Sequence, residues 1–454
     1  MIGAASHSAA PEAASQSARV RDAINRGRMS PLQIRTVMLC ALLNVMDGYD
    51  IMAMVFTASA ISTAWSLSAT QLGFLLSAGM VGMGFGAVLI TPLADRLGRK
   101  AIVQFSLVVI AAGMAFSALT ENFQQMVIAR LITGLGVGAL APSLSVIVAE
   151  FSSNKWRGGA VSFMGVGYTF GAVLGGLAAA QLLNAFGWHS VFAVGAIATF
   201  LLVLLVWLWL PESVDYLMQK QPRDALAKLN RILQAIGSPV LQHIEPPSQE
   251  QAGQQSGLRG LLAPAMWRTS VQLWCVSFLL LMCAYFVITW TPRLLVLAGL
   301  TQSQSIIGGV LLNSGGVLGC LVFGWLATRL SAQSIALAYF ALGTLCLLGL
   351  SQFYNQITLA YALTLVTGVC VFGAIAGINT LAPAIYPAAN RSSGVGMATG
   401  IGRLGGILSP ALTGVMVDAG QSISALYIYY CVPLVIAAAL MWILRSARSQ
   451  YGNV

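Results

Sequence analysis

Long runs of apolar residues recur along nearly the whole chain, and short polar segments separate them. Each run is close to the ~20 residues that an α-helix needs to cross a lipid bilayer. The pattern predicts twelve spans, near residues 34–57, 71–91, 102–119, 125–150, 158–184, 190–210, 269–292, 303–327, 332–352, 357–384, 394–418 and 424–445. The predicted fold class is therefore an all-α membrane protein with twelve transmembrane helices.

Composition supports this prediction and excludes a soluble enzyme. Hydrophobic residues make up 57% of the chain and charged residues 8%, whereas a soluble globular protein carries roughly 25% charged residues. The net charge of +10 does not indicate a nucleic-acid partner, because the basic residues lie between apolar spans and not on one face of a soluble domain. The expected surrounding is a lipid bilayer.

Most of the positive charges are predicted to lie on one side of the membrane. Of the 23 Lys and Arg residues, all except Arg130, Arg293 and Arg403 fall on the side of the N-terminus. The positive-inside rule then predicts that both termini are cytoplasmic. The first 30 residues lack the apolar core of a signal peptide and predict a disordered, basic tail.

A polar segment divides the spans into two sets of six. We predict a cytoplasmic N-terminal tail at 1–33, a six-helix bundle at 34–210, a cytoplasmic linker at 211–268, a second bundle at 269–445 and a cytoplasmic C-terminal tail at 446–454. A shift of 233 residues superposes Gly82 on Gly315 and Gly86 on Gly319. The two bundles therefore read as duplicated copies.

No cofactor or metal ion is expected. The seven cysteines lie in apolar segments without metal-type spacing, and the three histidines lie in the tail or in loops. The glycines at 134, 136 and 138 lack the preceding strand and the Lys-Ser/Thr ending of a phosphate-binding loop. Energy for any transport must then come from an ion gradient or from the substrate's own gradient.

The loop between the second and third spans reads Asp-Arg-Leu-Gly-Arg-Lys from Asp95. A carboxylate at a helix end beside several cations predicts an inter-helix latch that differs between two conformations. The alternative is an ordinary solvated loop. The predicted conformational gate comprises Asp95, Arg96, Arg99, Glu150, Arg157, Arg329 and Arg391.

Two carboxylates and one arginine are predicted to lie within the membrane spans of the first bundle. Asp47 and Asp50 are three positions apart in the first span and so lie on one helix face. Burial and mutual repulsion favour the neutral form of one of them, which makes it a candidate proton carrier. Arg130 in the fourth span would cost at least ~2.5 kcal/mol unpaired, so we expect a first-span carboxylate as its partner. Alternatively, the acid pair is purely structural.

Arg403 is the candidate carboxylate-binding residue. It lies ~14 Å into the eleventh span at 1.5 Å per residue, and its guanidinium group matches a carboxylate in geometry and charge. The alternative is a structural partner for Asp47 or Asp50. Aromatic side chains can stack on a ring, and buried amides must find a partner or line a cavity. The further predicted substrate contacts are Tyr49, Tyr285, Trp290, Asn313 and Asn379.

These motifs together resemble a known family. The Asp95 loop is similar to the signature loop of the major facilitator superfamily, although Thr91 stands where that pattern has Gly. Arg130 followed by Gly134 resembles its fourth-span motif, and Asp47-Gly-Tyr-Asp is similar to the first-span motif of the aromatic acid:proton symporters. The resemblance covers essentially residues 30–445.

The resemblance implies a major facilitator fold, with two six-helix bundles related by a pseudo-two-fold axis around a central cavity. It also implies proton-coupled uptake of a hydroxybenzoate-type aromatic carboxylate across a bacterial inner membrane. Two other functions stay open. One is proton-driven efflux of hydrophobic compounds, which Arg403 disfavours because it suits an anion. The other is a membrane receptor that signals through residues 211–268.

Overall fold

The computed structural model describes residues 16–25, 29–245, 261–264, 266–386 and 391–450, and the side chains of residues 17, 18, 391, 392 and 445–450 lie outside the described part. Of the predicted tails and linker, residues 1–15, 26–28, 246–260, 265 and 451–454 also lie outside it. All regular structure in the described ranges is helical.

Twelve of the described helices are long and apolar enough to cross a membrane. We number them spans 1–12: Pro31–Ala64, Ala69–Leu97, Arg99–Ala118, Phe123–Phe151, Arg157–Phe186, Trp188–Trp209, Trp267–Leu297, Gln302–Leu326, Ala332–Phe353, Ile357–Ile385, Ser393–Asp418 and Ile423–Leu444. The predicted all-α, twelve-helix fold class is confirmed. Span 1 departs most from its predicted bounds of 34–57.

The membrane helices define two faces. Odd-numbered spans run from the face that carries the chain between spans 6 and 7, here called the linker face, to the opposite face, here called the far face. Between spans 6 and 7 the described chain forms two short helices, Val214–Lys220 and Ala225–Ala235. The linker and the N-terminal helix are therefore on the same side of the spans.

The internal repeat includes the N-terminal caps of two equivalent helices. At the start of span 2, the Ser68 hydroxyl accepts the Gln71 N–H and the Gln71 side chain accepts the Ser68 N–H. Thr301 and Gln304 form the same reciprocal pair at the start of span 8. Such a capping box satisfies two backbone donors that a helix N-terminus otherwise leaves unpaired. Both capping boxes obey the 233-residue shift.

The repeated glycines pack equivalent pairs of spans. A Cβ atom on Gly82 would collide with the Leu131 carbonyl of span 4, and one on Gly315 would collide with the Leu365 carbonyl of span 10. Glycine at these positions lets two helix backbones approach closely, as is common in membranes. Spans 2 and 4 in one half thus pack as spans 8 and 10 do in the other.

The two halves contact each other through the far side of the membrane. Near that face, the Arg293 guanidinium of span 7 donates to the Ser59 and Ser62 hydroxyls of span 1, at 3.4 and 3.3 Å. Deeper in the membrane, the Ser77 hydroxyl of span 2 donates to the Ile407 carbonyl of span 11 at 2.8 Å. These bonds hold the far end of the interface together.

A carboxylate closes the same end. Asp418, at the end of span 11, accepts the N–H groups of Ala69 and Thr70 in the first turn of span 2, at 2.9 and 2.8 Å. An anion at a helix N-terminus is stabilised by the unpaired N–H groups and by the helix dipole. One half of the protein therefore caps a helix of the other.

The N-terminal segment is partly helical, so the prediction of a disordered tail is wrong for residues Gln16–Asn25. Val20 and Ile24, four positions apart on one face of this helix, are buried in the apolar core. Arg21 also pairs with Asp215 of the linker at 2.9 Å. Two buried apolar side chains and an ion pair thus hold a segment whose composition is otherwise polar against the rest of the protein.

Candidate functional site

Arg130 and Asp50 form a buried ion pair between spans 4 and 1. Two parallel hydrogen bonds, Nη1 to Oδ1 and Nη2 to Oδ2, join them at 3.2 Å each. Their side chains are only 4% and 1% exposed. The guanidinium also lies 5.9 Å from the centre of the Phe192 ring. Each charge compensates the other, so the carboxylate partner expected for Arg130 in span 1 corresponds to Asp50.

Asp47, one turn earlier in span 1, has a different environment. It lines a cavity of about 160 Å³ between the two halves. Its Oδ1 atom is buried and has no hydrogen-bond partner among the described residues. An unpartnered carboxylate oxygen in a low-dielectric cavity is expensive when ionised. The group can therefore accept a proton or a ligand donor.

Arg403 of span 11 lines the same cavity. Its side chain is half-buried, and no carboxylate of the described chain lies within 4.0 Å of it. Arg130 and Arg403 therefore differ: one is neutralised inside its own half, whereas the other presents its charge to the cavity. A guanidinium in this position can bind a carboxylate through two parallel hydrogen bonds.

The rest of the cavity wall is mostly aromatic and apolar. Tyr168 of span 5 and Tyr285 of span 7 line it together with Met80 and Met83 of span 2. A smaller adjoining cavity of about 30 Å³ shares Tyr285 and both methionines and is also lined by Arg130. Tyrosine rings and thioethers suit contact with a flat aromatic ring.

The sequence alone did not identify some of the residues that line this cavity. Met80 and Met83 carry no signal that separates a cavity wall from a lipid-facing or core position. Tyr168 was one of several aromatic positions within the spans, and only the packing of span 5 against span 1 brings it beside Asp47.

Two predicted aromatic contacts lie away from the cavity. The Tyr49 hydroxyl donates to the Val191 carbonyl of span 6 at 2.7 Å. Tyr49 follows Asp47 by two positions, or ~200° around a helix, so it faces the interior of its own half. Trp290 is fully buried and its indole N–H donates to the Pro410 carbonyl at 3.1 Å. Neither residue is among those that line the central cavity.

The two predicted amides also differ in environment. Asn313 is buried, and its amide nitrogen donates to the Gly309 carbonyl at 2.9 Å and contacts the Met52 sulfur at 3.8 Å. Its Oδ1 atom is buried without a partner in the described chain. Asn379 is exposed. Asn313 therefore retains one free acceptor near the interface between the halves, and Asn379 is not enclosed.

The predicted gate residues cluster only in part. Arg99 at the start of span 3 bonds to Asp95 at 3.0 Å and lies 3.7 Å from Glu150 at the end of span 4. Glu150 also accepts a hydrogen bond from the Ser213 hydroxyl of the linker at 2.7 Å. This charge cluster joins spans 2, 3 and 4 of the first half and the linker.

Glu212 belongs to the same cluster although the sequence did not single it out. Its carboxylate accepts the backbone N–H of Lys100 at 3.0 Å. It also lies against Gly98, whose φ of 101° suits glycine. Glu212 therefore fixes the loop between spans 2 and 3 to the start of the linker.

The remaining predicted gate residues lie outside this charge cluster. Arg96 and Arg157 are exposed, and the Arg329 guanidinium lies 4.9 Å from the centre of the Trp325 ring. The side chain of Arg391 lies outside the described residues.

Comparison with known proteins places this geometry in a family. The sequence model of the Major Facilitator Superfamily matches residues 37–354. The chain is 32% identical to the 4-hydroxybenzoate transporter PcaK of Pseudomonas putida, over 86% of this chain and 87% of the relative. It is also 32% identical to the 3-(3-hydroxy-phenyl)propionate transporter of Escherichia coli (strain K12), over 91% and 94%. The gallate transporter of Pseudomonas putida is 31% identical, over 92% and 93%.

Solved structures agree on the fold. The xylose transporter XylE from E. coli superposes with a TM-score of 0.71 at 19% identity, over 91% of this chain and 98% of that one. A bacterial homolog of the human lysosomal transporter Spinster gives a TM-score of 0.69 at 17% identity, over 91% and 97%. The expected major facilitator fold is confirmed. The chain therefore belongs to the major facilitator superfamily, as a multi-pass membrane transporter of its aromatic acid transporter group and not an enzyme.

Proposed function

We propose that the protein couples inward proton movement to the uptake of a hydroxybenzoate-type aromatic carboxylate across the bacterial inner membrane. The relatives are named as transporters of 4-hydroxybenzoate, gallate and 3-(3-hydroxy-phenyl)propionate. Each of these compounds has an aromatic ring and a carboxylate. The basic linker face is assigned to the cytoplasm by the positive-inside rule, which makes both termini cytoplasmic.

One observation carries the proposal. Arg403 lines the central cavity without a carboxylate partner in the described chain, and Asp47 lines the same cavity. The arginine would bind the substrate carboxylate, because a desolvated guanidinium gains most from a planar anion. Tyr168 and Tyr285 would contact the ring, with Met80 and Met83 filling the remaining wall.

Asp47 is the proton carrier in this scheme. Asp50 is already paired with Arg130 in a bidentate contact, and protonating it would leave a buried cation uncompensated. Asp47 has no such partner in the described chain. It can therefore gain and lose a proton without breaking an ion pair.

Charge balance in the cavity explains why proton and substrate would move together. With Asp47 ionised and Arg403 protonated, the empty cavity has no net charge. A bound substrate anion together with a proton on Asp47 restores that neutrality. Substrate alone leaves one negative charge, and a proton alone leaves one positive charge, in a space where uncompensated charge is expensive. Reorientation is therefore favoured for the empty and the fully loaded carrier.

Alternation between the two faces needs both ends of the interface to open in turn. The contacts of Arg293 and Asp418 hold the far face closed, so this arrangement corresponds to a carrier that faces the cytoplasm. Their rupture would open the cavity to the outside. The predicted gate contact between Arg99 and Glu150 is already formed in this arrangement and lies within one half. We therefore propose that it stabilises the carrier while the carrier faces the cytoplasm.

The test is uptake of radiolabelled 4-hydroxybenzoate into proteoliposomes with an alkaline interior. We expect accumulation that a proton ionophore abolishes and that Arg403→Ala reduces to the level of empty liposomes. Arg223→Ala is the matched control, because Arg223 is an exposed linker cation. Uptake that survives collapse of the pH gradient, or equal uptake by the two variants, contradicts the proposal.

A competition experiment separates anion uptake from efflux of hydrophobic compounds. Unlabelled 4-hydroxybenzyl alcohol has the same ring as the substrate but no carboxylate. We expect it to compete poorly, since Arg403 then has no anion to bind. Competition equal to that of unlabelled 4-hydroxybenzoate would instead favour recognition of the ring alone.

A further inference from the structure

A groove of about 630 Å³ on the linker face is separate from the central cavity. It lies between the linker-side ends of spans 1, 3 and 6 and the second linker helix, Ala225–Ala235. No part of the transport scheme above uses it. Its lining has two distinctive properties, a convergence of cations and a pair of exposed tryptophans.

Four cations from three separate elements line the groove: Arg35, Lys100, Lys228 and Arg231. Glu212 is the one acidic residue among its lining residues, and the Glu212 carboxylate already accepts the backbone N–H groups of Lys100 and Ser213. The positive-inside rule explains why cations occupy this face. It does not explain why they converge on one cavity.

The second linker helix presents its charges to the groove because it is amphipathic. Leu229, Ile232 and Leu233 are buried against the protein. Lys228 and Arg231, three positions apart, share the exposed side. Lys228 approaches Asp224 at 4.0 Å, with side chains 49% and 75% exposed, which is a weak and solvent-screened contact. The helix therefore offers nearly uncompensated positive charge.

The other wall is at the level of the lipid headgroups. Trp207 and Trp209, in the last turn of span 6, are 66% and 47% exposed, and Leu208 between them is 64% exposed. Exposed tryptophans at the end of a membrane helix typically lie in the interface between headgroups and acyl chains. Lys100 is fixed there, since its Nζ donates to the Trp207 carbonyl at 2.9 Å.

We propose that this groove binds the headgroup of an anionic phospholipid of the cytoplasmic leaflet, such as phosphatidylglycerol. The cations would hold the phosphate, and the tryptophans and Leu208 would contact the glycerol and the upper acyl chains. Basic pockets between membrane helices on the cytoplasmic side suit such headgroups. The bound lipid would tie the linker to spans 1, 3 and 6, beside the loop that Glu212 fixes.

Native mass spectrometry of the purified full-length protein tests the proposal. Phosphatidylglycerol and phosphatidylethanolamine with the same acyl chains are titrated separately, and bound lipids are counted. The test variant combines Arg35→Gln, Lys228→Gln and Arg231→Gln. The control combines Lys155→Gln, Lys220→Gln and Arg223→Gln, three exposed cations of the same face that do not line the groove. Both variants lose the same net charge.

We expect phosphatidylglycerol to bind the test variant about 10-fold or more weakly than the control, as follows from the contribution of each Lys or Arg near an anionic surface. Lys100 stays unchanged to preserve its contact with span 6. Arg35→Gln alone should give a smaller loss in the same direction, and thermal unfolding checks that each variant is folded.

Three results would overturn the proposal. Equal losses in both triple variants would mean that phosphatidylglycerol responds only to the overall charge of the face. Equal affinity of the wild type for the two lipids would exclude selection for an anion. Displacement of phosphatidylglycerol by millimolar inorganic phosphate would indicate a site for a soluble anion instead.

Discussion

Each half of the protein has an arginine deep within a span, Arg130 in span 4 and Arg403 in span 11, and these two residues have different environments. Arg130 in the first half is 4% exposed at its side chain and is neutralised by Asp50. Arg403 in the second half is half-buried and has no carboxylate within 4.0 Å in the described chain. A charged side chain within a span can therefore have one of two roles. If a carboxylate of the protein neutralises it, it stabilises the fold; if it has no such carboxylate, it stays available to bind a ligand.

The largest expected effect comes from breaking the pair in the first half. Asp50→Asn leaves Arg130 buried without an anion, which costs about 3–5 kcal/mol when a buried ion pair loses one partner. We expect poor recovery from the membrane and a lowered unfolding temperature in detergent. The measurement is thermal unfolding with a tryptophan fluorescence readout.

A double variant sharpens this test. Asp50→Asn with Arg130→Gln removes both charges and should regain much of the lost stability, because the unpaired cation is gone. Asp47→Asn is the matched single variant, with the same chemical change one helical turn away. If Asp50→Asn is as stable as Asp47→Asn, the ion pair does not support the fold as we infer.

The second effect concerns Arg403. Arg403→Lys keeps the charge but loses the planar fork, and a charge-assisted hydrogen bond of about 1.5–3 kcal/mol corresponds to a roughly 10–100-fold rise in KM for uptake. The unfolding temperature should stay near that of the wild type, since Arg403 forms no ion pair within the described part of the chain. An unchanged KM with a lowered unfolding temperature would assign Arg403 to the fold instead.

Asp47→Asn should separate binding from coupling. A gradient of one pH unit supports ~10-fold accumulation when one proton moves with each substrate, and the variant, which cannot ionise at this position, should accumulate no substrate. Exchange of labelled for unlabelled substrate should persist, because Arg403 is intact. The matched control is Asp224→Asn at an exposed linker carboxylate. Retained accumulation in Asp47→Asn would place the proton elsewhere.

The sequence alone predicted the parts of the fold that repeat. Span length and hydropathy predicted the twelve helices, because the bilayer requires each membrane-spanning helix to be apolar over about the same distance. The glycine repeat indicated that spans 2 and 8 pack closely against a neighbouring helix, because two helix backbones can approach closely only where side chains are small or absent. The helix at Gln16–Asn25 was missed because its apolar face consists of little more than Val20 and Ile24.

Only those residues of the candidate site whose position depends on charge could be predicted from the sequence. An arginine within a span requires compensation, so Arg130 and the span 1 carboxylates could be linked from their depth alone. Which carboxylate is paired depends on how spans 1 and 4 pack, and nothing in the sequence distinguished Asp50 from Asp47. Trp290 follows Tyr285 by five positions, which turns it ~140° around the helix and away from the cavity.

The smallest effect is expected at the far face, where the two halves meet. Asp418→Asn keeps one acceptor oxygen for the first turn of span 2 but loses the negative charge at that helix N-terminus, which is worth about 0.3–1 kcal/mol. Contact between the halves should weaken, and the outward-open population should rise roughly 2–5-fold. Leu76→Cys, near the far end of the smaller cavity and 7% exposed, reports this opening in a variant without the seven native cysteines.

The readout is the rate at which a membrane-impermeant maleimide labels that cysteine from the far face. Glu121→Gln is the matched control, because Glu121 is another exposed carboxylate near the same face. Its side chain forms no hydrogen bond or ion pair with the other half within the described chain. Faster labelling in Asp418→Asn than in Glu121→Gln supports closure of the far face by the trans-capping carboxylate. Equal rates would leave the contacts of Arg293 with span 1 and of Ser77 with span 11 as the determinants of closure.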